Sequence, residues 1–348
     1  MADAQTISDK QAGVSLLRLI ATAAVIACHV SSTITTHPET FAQTAAQNAF
    51  LQAFGSVVNW HVPVFFMISG ALLLDRRREV TPAMCVGKYA RRIFLALAVF
   101  GIPFALMKHV FEARTLTAGM LWQSVLDVIN GDSWDHLWYL YALIGLYLLL
   151  PVFKGFVNGA SRREQGYVLA VLMIFDFAVY VLDRVMKWQI AFTVPATYPV
   201  FYFLMGHYLA EGTPKLLRSR GVCIGIVLGM AAGTVAVCAS GLPQLGVLYQ
   251  YQSPLNALAA CAAFVLFTKL DLPERWCGWL WKLDRLCFGV YLVHPVFIHF
   301  TYRFLGVTPL SFAAYPAAAL LFFVAFTALS FFASWVMSLI PPLKKYVL

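Results

Sequence analysis

Charged residues are scarce in this chain of 348 residues: only 12% are charged, while 61% are hydrophobic. A soluble domain averages about 25% charged and about 45–50% apolar residues. The composition therefore excludes an ordinary soluble protein, and no long polar stretch remains for a separate soluble domain. We expect one integral-membrane domain over residues 1–348, with an all-α, polytopic architecture.

The seven cysteines lack the close spacing that metal and redox sites need. No CxxC pair occurs, and most of the cysteines lie within apolar runs. A cysteine in such a run is usually a small buried hydrophobic residue. We therefore expect no metal site and no redox centre. The first apolar run also lacks the pattern of a cleaved signal peptide, so we interpret it as a retained helix.

Apolar runs of about 20 residues, the length that crosses a bilayer as a helix, predict about ten transmembrane helices. One further segment, residues 115–131, is amphipathic and is predicted to lie at a membrane surface. The predicted spans are residues 14–36, 50–74, 89–111, 136–156, 166–186, 195–211, 220–240, 252–270, 284–304 and 314–340.

The distribution of positive charge predicts the orientation of these helices, because cytoplasmic loops are enriched in Lys and Arg. With the N-terminus in the cytoplasm, most of the 25 Lys and Arg residues fall on the cytoplasmic side. An even number of helices leaves both termini there. The net charge of +9 then reflects membrane topology, and we expect no nucleic-acid partner.

The first span contains two ionisable residues, Arg18 and His29. Such a residue within a hydrocarbon-length segment is costly and marks a functional site by default. At ~1.5 Å per residue the two lie roughly 16 Å apart along a helix, on nearly the same face. Each alone has an ordinary explanation, a membrane-surface anchor for Arg18 and a packing histidine for His29. Together they predict a path from the cytoplasmic surface into the bilayer.

The second span, NWHVPVFFMISGALLL, carries His61 and the pair Ser69-Gly70. Pro63 interrupts the helical hydrogen bonds, and glycine allows a ligand or another backbone to approach closely. Depth matching between antiparallel spans puts His61 near the level of His29, and Ser69-Gly70 near that of Arg18. We expect these residues to line a substrate site. The alternative for Ser69-Gly70 is a tight contact between helices.

A basic cluster follows the second span on the cytoplasmic side, and it includes Arg91 and Arg92. Positive-inside topology alone would explain it. The sharper hypothesis is a docking surface for a cytosolic ligand with phosphates, because arginine binds phosphate through paired hydrogen bonds.

Two further stretches bear candidate binding residues. DSWDHLWYLY opens the fourth span from outside and includes His136, Trp138 and Tyr139. Flat aromatic faces beside polar groups suit a glycan, although an interfacial aromatic belt would have the same composition. In the ninth span, His294 precedes a proline at mid-depth and is expected to line the same cavity.

Four motifs recur in an order typical of a known family. They are Arg18-x10-His29, VPVFFMISG (62–70), HLWYL (136–140) and YLVHP (291–295). Over essentially its whole length the chain resembles the membrane-bound acyltransferase family 3. It is similar within that family to the compact bacterial O-acetyltransferases, such as the one that acetylates enterobacterial common antigen. Tyr139 stands where many relatives carry Phe, and nothing carries over to His61.

The resemblance implies a ten-helix fold, an acyl-CoA donor supplied from the cytoplasm and a sugar hydroxyl as acceptor. It also implies that Arg18 and His29 are essential and that FFMISG shapes the same site. Imidazole titrates near ~6.5 and can act as a base, whereas arginine cannot but binds phosphate or stabilises negative charge. We expect His29 to be the general base, and Arg18 to orient the donor with help from Arg91 and Arg92.

The expected reaction is acetyl transfer from cytoplasmic acetyl-CoA to a hydroxyl of a cell-surface glycan or its polyprenyl-linked precursor, in the bilayer of the bacterial cytoplasmic (inner) membrane. A covalent acyl-enzyme on His29, the acceptor sugar, the side of transfer and a homo-oligomer stay open. The main alternative is a transporter or flippase for a lipid-linked or small solute, which also suits buried His and Arg. A non-catalytic scaffold is the third hypothesis.

Overall fold

The computed structural model describes residues 2–187 and 197–348, and this part of the chain is helical, without strands. Short π-helical turns lie within or between several helices. The helices are α1 (Ala2–Thr35), α2 (Ala45–Ser56), α3 (His61–Leu73), α4 (Pro82–Phe111), α5 (Ala118–Asn130), α6 (Trp138–Leu148), α7 (Leu150–Gly159), α8 (Arg162–Leu172), α9 (Val179–Met186), α10 (Tyr198–Glu211), α11 (Arg220–Ser240), α12 (Pro254–Thr268), α13 (Glu274–Asp284), α14 (Cys287–His299), α15 (Tyr315–Ser338) and α16 (Pro341–Tyr346).

Five helical segments within the described residues are long and apolar enough to cross a membrane. They are Ala12–Thr35, Ala45–Leu73, Pro82–Phe111, Arg220–Ser240 and Tyr315–Ser338. Two bent pairs also qualify when each is counted as one span: α6 with α7, bent by 55°, and α13 with the segment Cys287–Ser311, bent by 53°. Residues 2–187 and 197–348 therefore contain five to seven candidate spans, which agrees with a polytopic membrane protein.

The other three predicted spans do not pass the same test. The predicted span 166–186 includes α8 and α9 and contains three charged residues, Asp176, Asp183 and Arg184. α10 and α12 have 14 and 15 residues, fewer than the about 20 that a span needs. Part of the predicted span 195–211 also lies outside the described residues. Ten spans, and the placement of both termini in the cytoplasm, stay predictions.

The chain divides into two compact units, residues 1–75 with 160–335, and residues 76–159 with 336–348. Whether they form the one domain expected from the sequence stays a prediction. In the first unit α1 is the central helix, packed against α2, α3, α12, α13 and α14. The Tyr302 hydroxyl donates a hydrogen bond to the Val30 carbonyl at 3.0 Å. The buried core around this contact comprises Ile26, Val30, Ile34, Leu51, Val290, Ile298, Tyr302 and Phe326.

α3 and α10 make an extensive contact in the first unit, and two glycines allow it. A Cβ added at Gly70 would lie 1.7 Å from the Phe203 carbonyl oxygen. A Cβ added at Gly206 would lie 2.0 Å from the Met67 carbonyl oxygen. The backbones of the two helices therefore touch at this crossing, as small residues permit in membrane proteins.

In the second unit, the predicted surface segment forms the short helix α5. Asp127 of α5 accepts hydrogen bonds from His109 Nε2 at 2.6 Å and from Gln123 Nε2 at 3.0 Å. The polar face of α5 is thus directed into the protein. Its apolar side chains Leu121, Trp122 and Ile129 are exposed, an arrangement that suits a helix at a lipid interface.

Candidate functional site

Arg18 is paired in the first unit with Asp284, a residue that the sequence interpretation did not select. Nη1 of Arg18 donates to both carboxylate oxygens of Asp284. The side chain of Arg18 is 27% exposed and that of Asp284 is 8% exposed. An arginine within an apolar segment is stabilised by such a partner. The guanidinium is held on a carboxylate within the unit, and the functional role of Arg18 stays a prediction.

Ser15 also contacts this ion pair, and Thr22 contacts the main chain of Arg18. The Ser15 hydroxyl donates to Asp284 Oδ2 at 2.8 Å. The Thr22 hydroxyl donates to the Arg18 carbonyl at 2.8 Å, one turn further along α1. Asp284 is the last residue of α13, so α1 and α13 are connected here by a part-buried, charge-assisted contact. Charge-assisted hydrogen bonds are roughly twice as strong as neutral ones. The contact with Asp284 therefore fixes the direction of the Arg18 guanidinium.

The rings of His29 and His294 are in contact in the first unit, and the cavity that the two residues are expected to line stays a prediction. Their ring centroids are 4.9 Å apart and the rings meet edge to face at 74°. Nδ1 of His29 lies 2.8 Å from the Val25 carbonyl oxygen, and Nδ1 of His294 lies 2.8 Å from the Tyr291 carbonyl oxygen. A carbonyl only accepts, so each Nδ1 bears the hydrogen. In the neutral rings Nε2 is then the basic nitrogen.

His61 adopts the same tautomer as these two histidines. Its Nδ1 donates to the Val58 carbonyl at 2.6 Å, and the Tyr251 hydroxyl lies 3.5 Å from its Nε2. His61 and Tyr251 also meet edge to face, with centroids 5.9 Å apart. α3 packs against α1, so His61 belongs to the same unit as His29. Its predicted contact with substrate stays a prediction.

The pair Ser69-Gly70 has the environment of a helix contact. Gly70 is buried against the backbone of α10, whereas Ser69 is half-buried. Gly70 therefore makes a tight contact between helices, which was the alternative explanation for this pair. The role of Ser69 and Gly70 in binding substrate stays a prediction.

The second unit holds the predicted aromatic and basic candidates. His136 is buried, with its ring 6.0 Å from that of Phe104, and Phe104 stacks on Trp134 at 4.3 Å. Trp138 and Tyr139 are half-buried and meet edge to face at 6.2 Å. Their predicted contact with a glycan stays a prediction.

The basic pair Arg91 and Arg92 also belongs to the second unit. Arg91 is exposed, and Nε of Arg92 donates to the Val347 carbonyl at 3.1 Å. This bond ties α4 to the C-terminal segment. The predicted cooperation of the pair with Arg18 in holding a donor stays a prediction.

Sequence reasoning missed Asp284 and Tyr251, and each had only a weak signal. Asp284 lies two residues after Lys282 and directly before Arg285, so it resembled a solvated loop acid in the stretch KLDRL. Because Asp284 and Arg18 are far apart in the sequence, the sequence alone did not indicate that they form an ion pair. One usable signal existed: an arginine in an apolar span requires an acidic partner, and few acids border the spans. Among the described residues, no group of three or more His, Cys, Asp or Glu could hold a metal ion.

The first unit thus combines a fixed cation with imidazoles whose Nε2 atoms can accept a proton. Comparison with known proteins adds the reaction class. The chain matches the acyltransferase domain of acyltransferase family 3 over residues 11–339. Neither the curated proteins nor the solved structures include a match to it. The match covers nearly the whole chain and includes both units, so the chain belongs to acyltransferase family 3, a family of membrane acyltransferases.

Proposed function

We propose that this membrane acyltransferase transfers an acetyl group from cytoplasmic acetyl-CoA to a hydroxyl of a cell-surface glycan or of its polyprenyl-linked precursor. The observation that carries the proposal is the tautomer of His29. Because Nδ1 donates to the Val25 carbonyl, the neutral ring offers Nε2 as a base. The setting would be a bacterial inner membrane, as the resemblance of the sequence to compact O-acetyltransferases that modify surface glycans implies.

In the proposed reaction the acceptor hydroxyl oxygen attacks the thioester carbonyl carbon while His29 Nε2 takes the hydroxyl proton. The tetrahedral intermediate then loses the sulfur, the C–S bond breaks, and the imidazolium returns the proton to the CoA thiolate. Arg18 is permanently charged, so it serves by holding a donor phosphate or by stabilising the developing oxyanion. Asp284 fixes the direction in which Arg18 presents its remaining donors.

The deciding experiment follows labelled acetyl-CoA in proteoliposomes that contain a lipid-linked glycan fraction as acceptor. We expect His29→Ala to lower transfer by at least about 100-fold, since a general base contributes roughly 10²–10⁴-fold. His37→Ala is the matched control. His37 lies just beyond α1, and its Nδ1 also contacts a main-chain carbonyl, that of Thr33 at 3.2 Å. This control should transfer acetyl like the wild type.

Transfer by His29→Ala at the wild-type rate would exclude His29 as the base. If folded wild-type protein consumes no acetyl-CoA with intact acceptor, the enzyme proposal fails in this form. Movement of the labelled lipid-linked glycan across the bilayer would then favour a flippase.

A further inference from the structure

α13 has two faces of different chemistry. Its inner face packs on α1 and contains Leu280 and the buried Asp284. Its outer face combines large aromatic rings with positive charge, and Glu274 is the one acidic residue there. The tryptophans Trp276, Trp279 and Trp281 are 47%, 55% and 62% exposed, and the exposed cations are Arg275, Lys282 and Arg285. We call these six residues, which include Arg285 directly after the helix, the outer face of α13.

Contacts within the outer face hold cations beside indole rings. The Arg275 guanidinium lies 5.9 Å from the Trp276 ring centroid, and the Arg285 guanidinium lies 5.6 Å from that of Trp281. Trp276 and Trp279 meet edge to face at 6.3 Å. Exposed tryptophans in water would be unfavourable for an isolated soluble surface, but indoles concentrate at the headgroup level of membranes.

The length and direction of α13 suit that level. Its 11 residues extend about 16 Å, too short to cross a bilayer. The chain also bends by 53° between α13 and the apolar helix that follows. α13 is therefore a short segment at the end of a candidate span, the position at which interfacial helices occur.

We propose that the outer face of α13 binds the phosphate groups of anionic phospholipids, with the three tryptophans among the headgroups and acyl-chain ends. The charges are complementary: three cations and one acid meet a negatively charged lipid surface. A soluble polyanion would be attracted by the cations but would leave the three indoles in water. The two chemistries together therefore favour a lipid over a soluble ligand.

This binding surface also bears on the ion pair inside the first unit. Asp284 ends the same helix and holds Arg18. A headgroup bound on the outer face presses α13 against α1 and thereby stabilises the Asp284–Arg18 contact. This second step rests on the proposed function, because its consequence is measured as acetyl transfer. The lipid-binding step does not.

The binding test uses the full chain and phosphatidylglycerol, titrated in a phosphatidylcholine background and counted by native mass spectrometry. Each cation beside an anionic membrane strengthens binding by about fivefold, so R275Q/K282Q/R285Q should weaken the tightest phosphatidylglycerol binding by about 100-fold. The control K215Q/K269Q/K344Q removes three exposed cations elsewhere and should bind like the wild type. Thermal unfolding of both variants checks that they are folded.

A second measurement locates the lipid. Brominated phosphatidylglycerol should quench the indole fluorescence of the wild type more than that of W276F/W279F/W281F. Equal phosphatidylglycerol affinity of the R275Q/K282Q/R285Q variant and the wild type would overturn the proposal. Displacement of the bound lipid by soluble acetyl-CoA would also overturn it, and would identify a site for a soluble polyanion.

The effect of the lipid on acetyl transfer is measured in a separate experiment. In vesicles with phosphatidylglycerol, wild-type acetyl transfer should exceed that in phosphatidylcholine alone, and R275Q/K282Q/R285Q should lose this difference. If no variant transfers acetyl in any vesicle, the proposed function fails while the lipid-binding result stands on its own. If transfer is equal in both vesicles, the surface binds lipid without acting on Arg18.

Discussion

At the scale of single residues, the pair Arg18–Asp284 makes a sharp prediction. Asp284→Asn keeps the shape of the side chain but removes its charge, so Arg18 loses its fixed direction. A displacement of about 1 Å in a positioning group can lower a rate by about 100-fold. We expect the KM for acetyl-CoA to rise while the KM for the acceptor stays unchanged. Because Arg18 is partly exposed, the loss of unfolding free energy should not exceed about 3 kcal/mol.

The matched control is Asp271→Asn. Asp271 faces Arg220 at 3.5 Å, but their side chains are 88% and 59% exposed. An exposed pair of this kind contributes little, so both activity and stability should stay within about 0.5 kcal/mol of the wild type. Equal effects of Asp271→Asn and Asp284→Asn on the KM for acetyl-CoA would contradict the positioning role of Asp284.

At the scale of helices, the crossing of α3 and α10 is the contact most sensitive to a single methyl group. In Gly70→Ala the new Cβ would overlap the Phe203 carbonyl, which is backbone and cannot turn aside. The helices must separate, at a cost of about 1–3 kcal/mol. We expect a lower unfolding temperature in detergent.

Gly229→Ala in α11 is the control, since its Cβ would meet no atom within 4 Å, and alanine favours the helix by roughly 0.5–1 kcal/mol. A Gly70→Ala protein as stable as Gly229→Ala would show that α3 and α10 are not in close contact.

The helices themselves were largely predictable from sequence, whereas their contacts were not. Long apolar runs such as 220–240 and 314–340 coincide with α11 and α15, because continuous apolar length is sufficient to identify a span. The amphipathic segment 115–131 was also found, as α5. The contact of Gly70 with Phe203 depends on two helices far apart in sequence, and no periodicity within either helix encodes their crossing. The same holds for Asp284, whose partner lies at the other end of the chain.

At the scale of the whole molecule, orientation is the property on which the proposed route of the acetyl group depends. The excess of Lys and Arg predicts that the loop around Lys215 faces the cytoplasm and that the loop after α1, which includes Glu39, faces outside. Both side chains are exposed, so each position tolerates a reporter cysteine. In a Cys277→Ser background, which removes a half-exposed thiol, we expect Glu39→Cys in intact cells to react with a membrane-impermeant maleimide.

Lys215→Cys should react only after the membrane is permeabilised, and a C-terminal tag should share this behaviour because an even number of spans returns the chain to its starting side.

Acetyl-CoA is confined by its charge to the side on which it is made. With this orientation, Arg18 near the cytoplasmic end of α1 meets the donor first, and His29 lies deeper, where an acceptor from the outer leaflet could reach it. Labelling of both cysteines from outside would require an even number of crossings between residues 39 and 215, where the prediction has five. Labelling of the C-terminal tag alone would require an odd number between residue 215 and the tag, where the prediction has four. If Glu39→Cys reacts only after permeabilisation, α1 has the opposite orientation and Arg18 lies at the outer surface, away from acetyl-CoA. Transfer through the membrane by this route would then have to be abandoned.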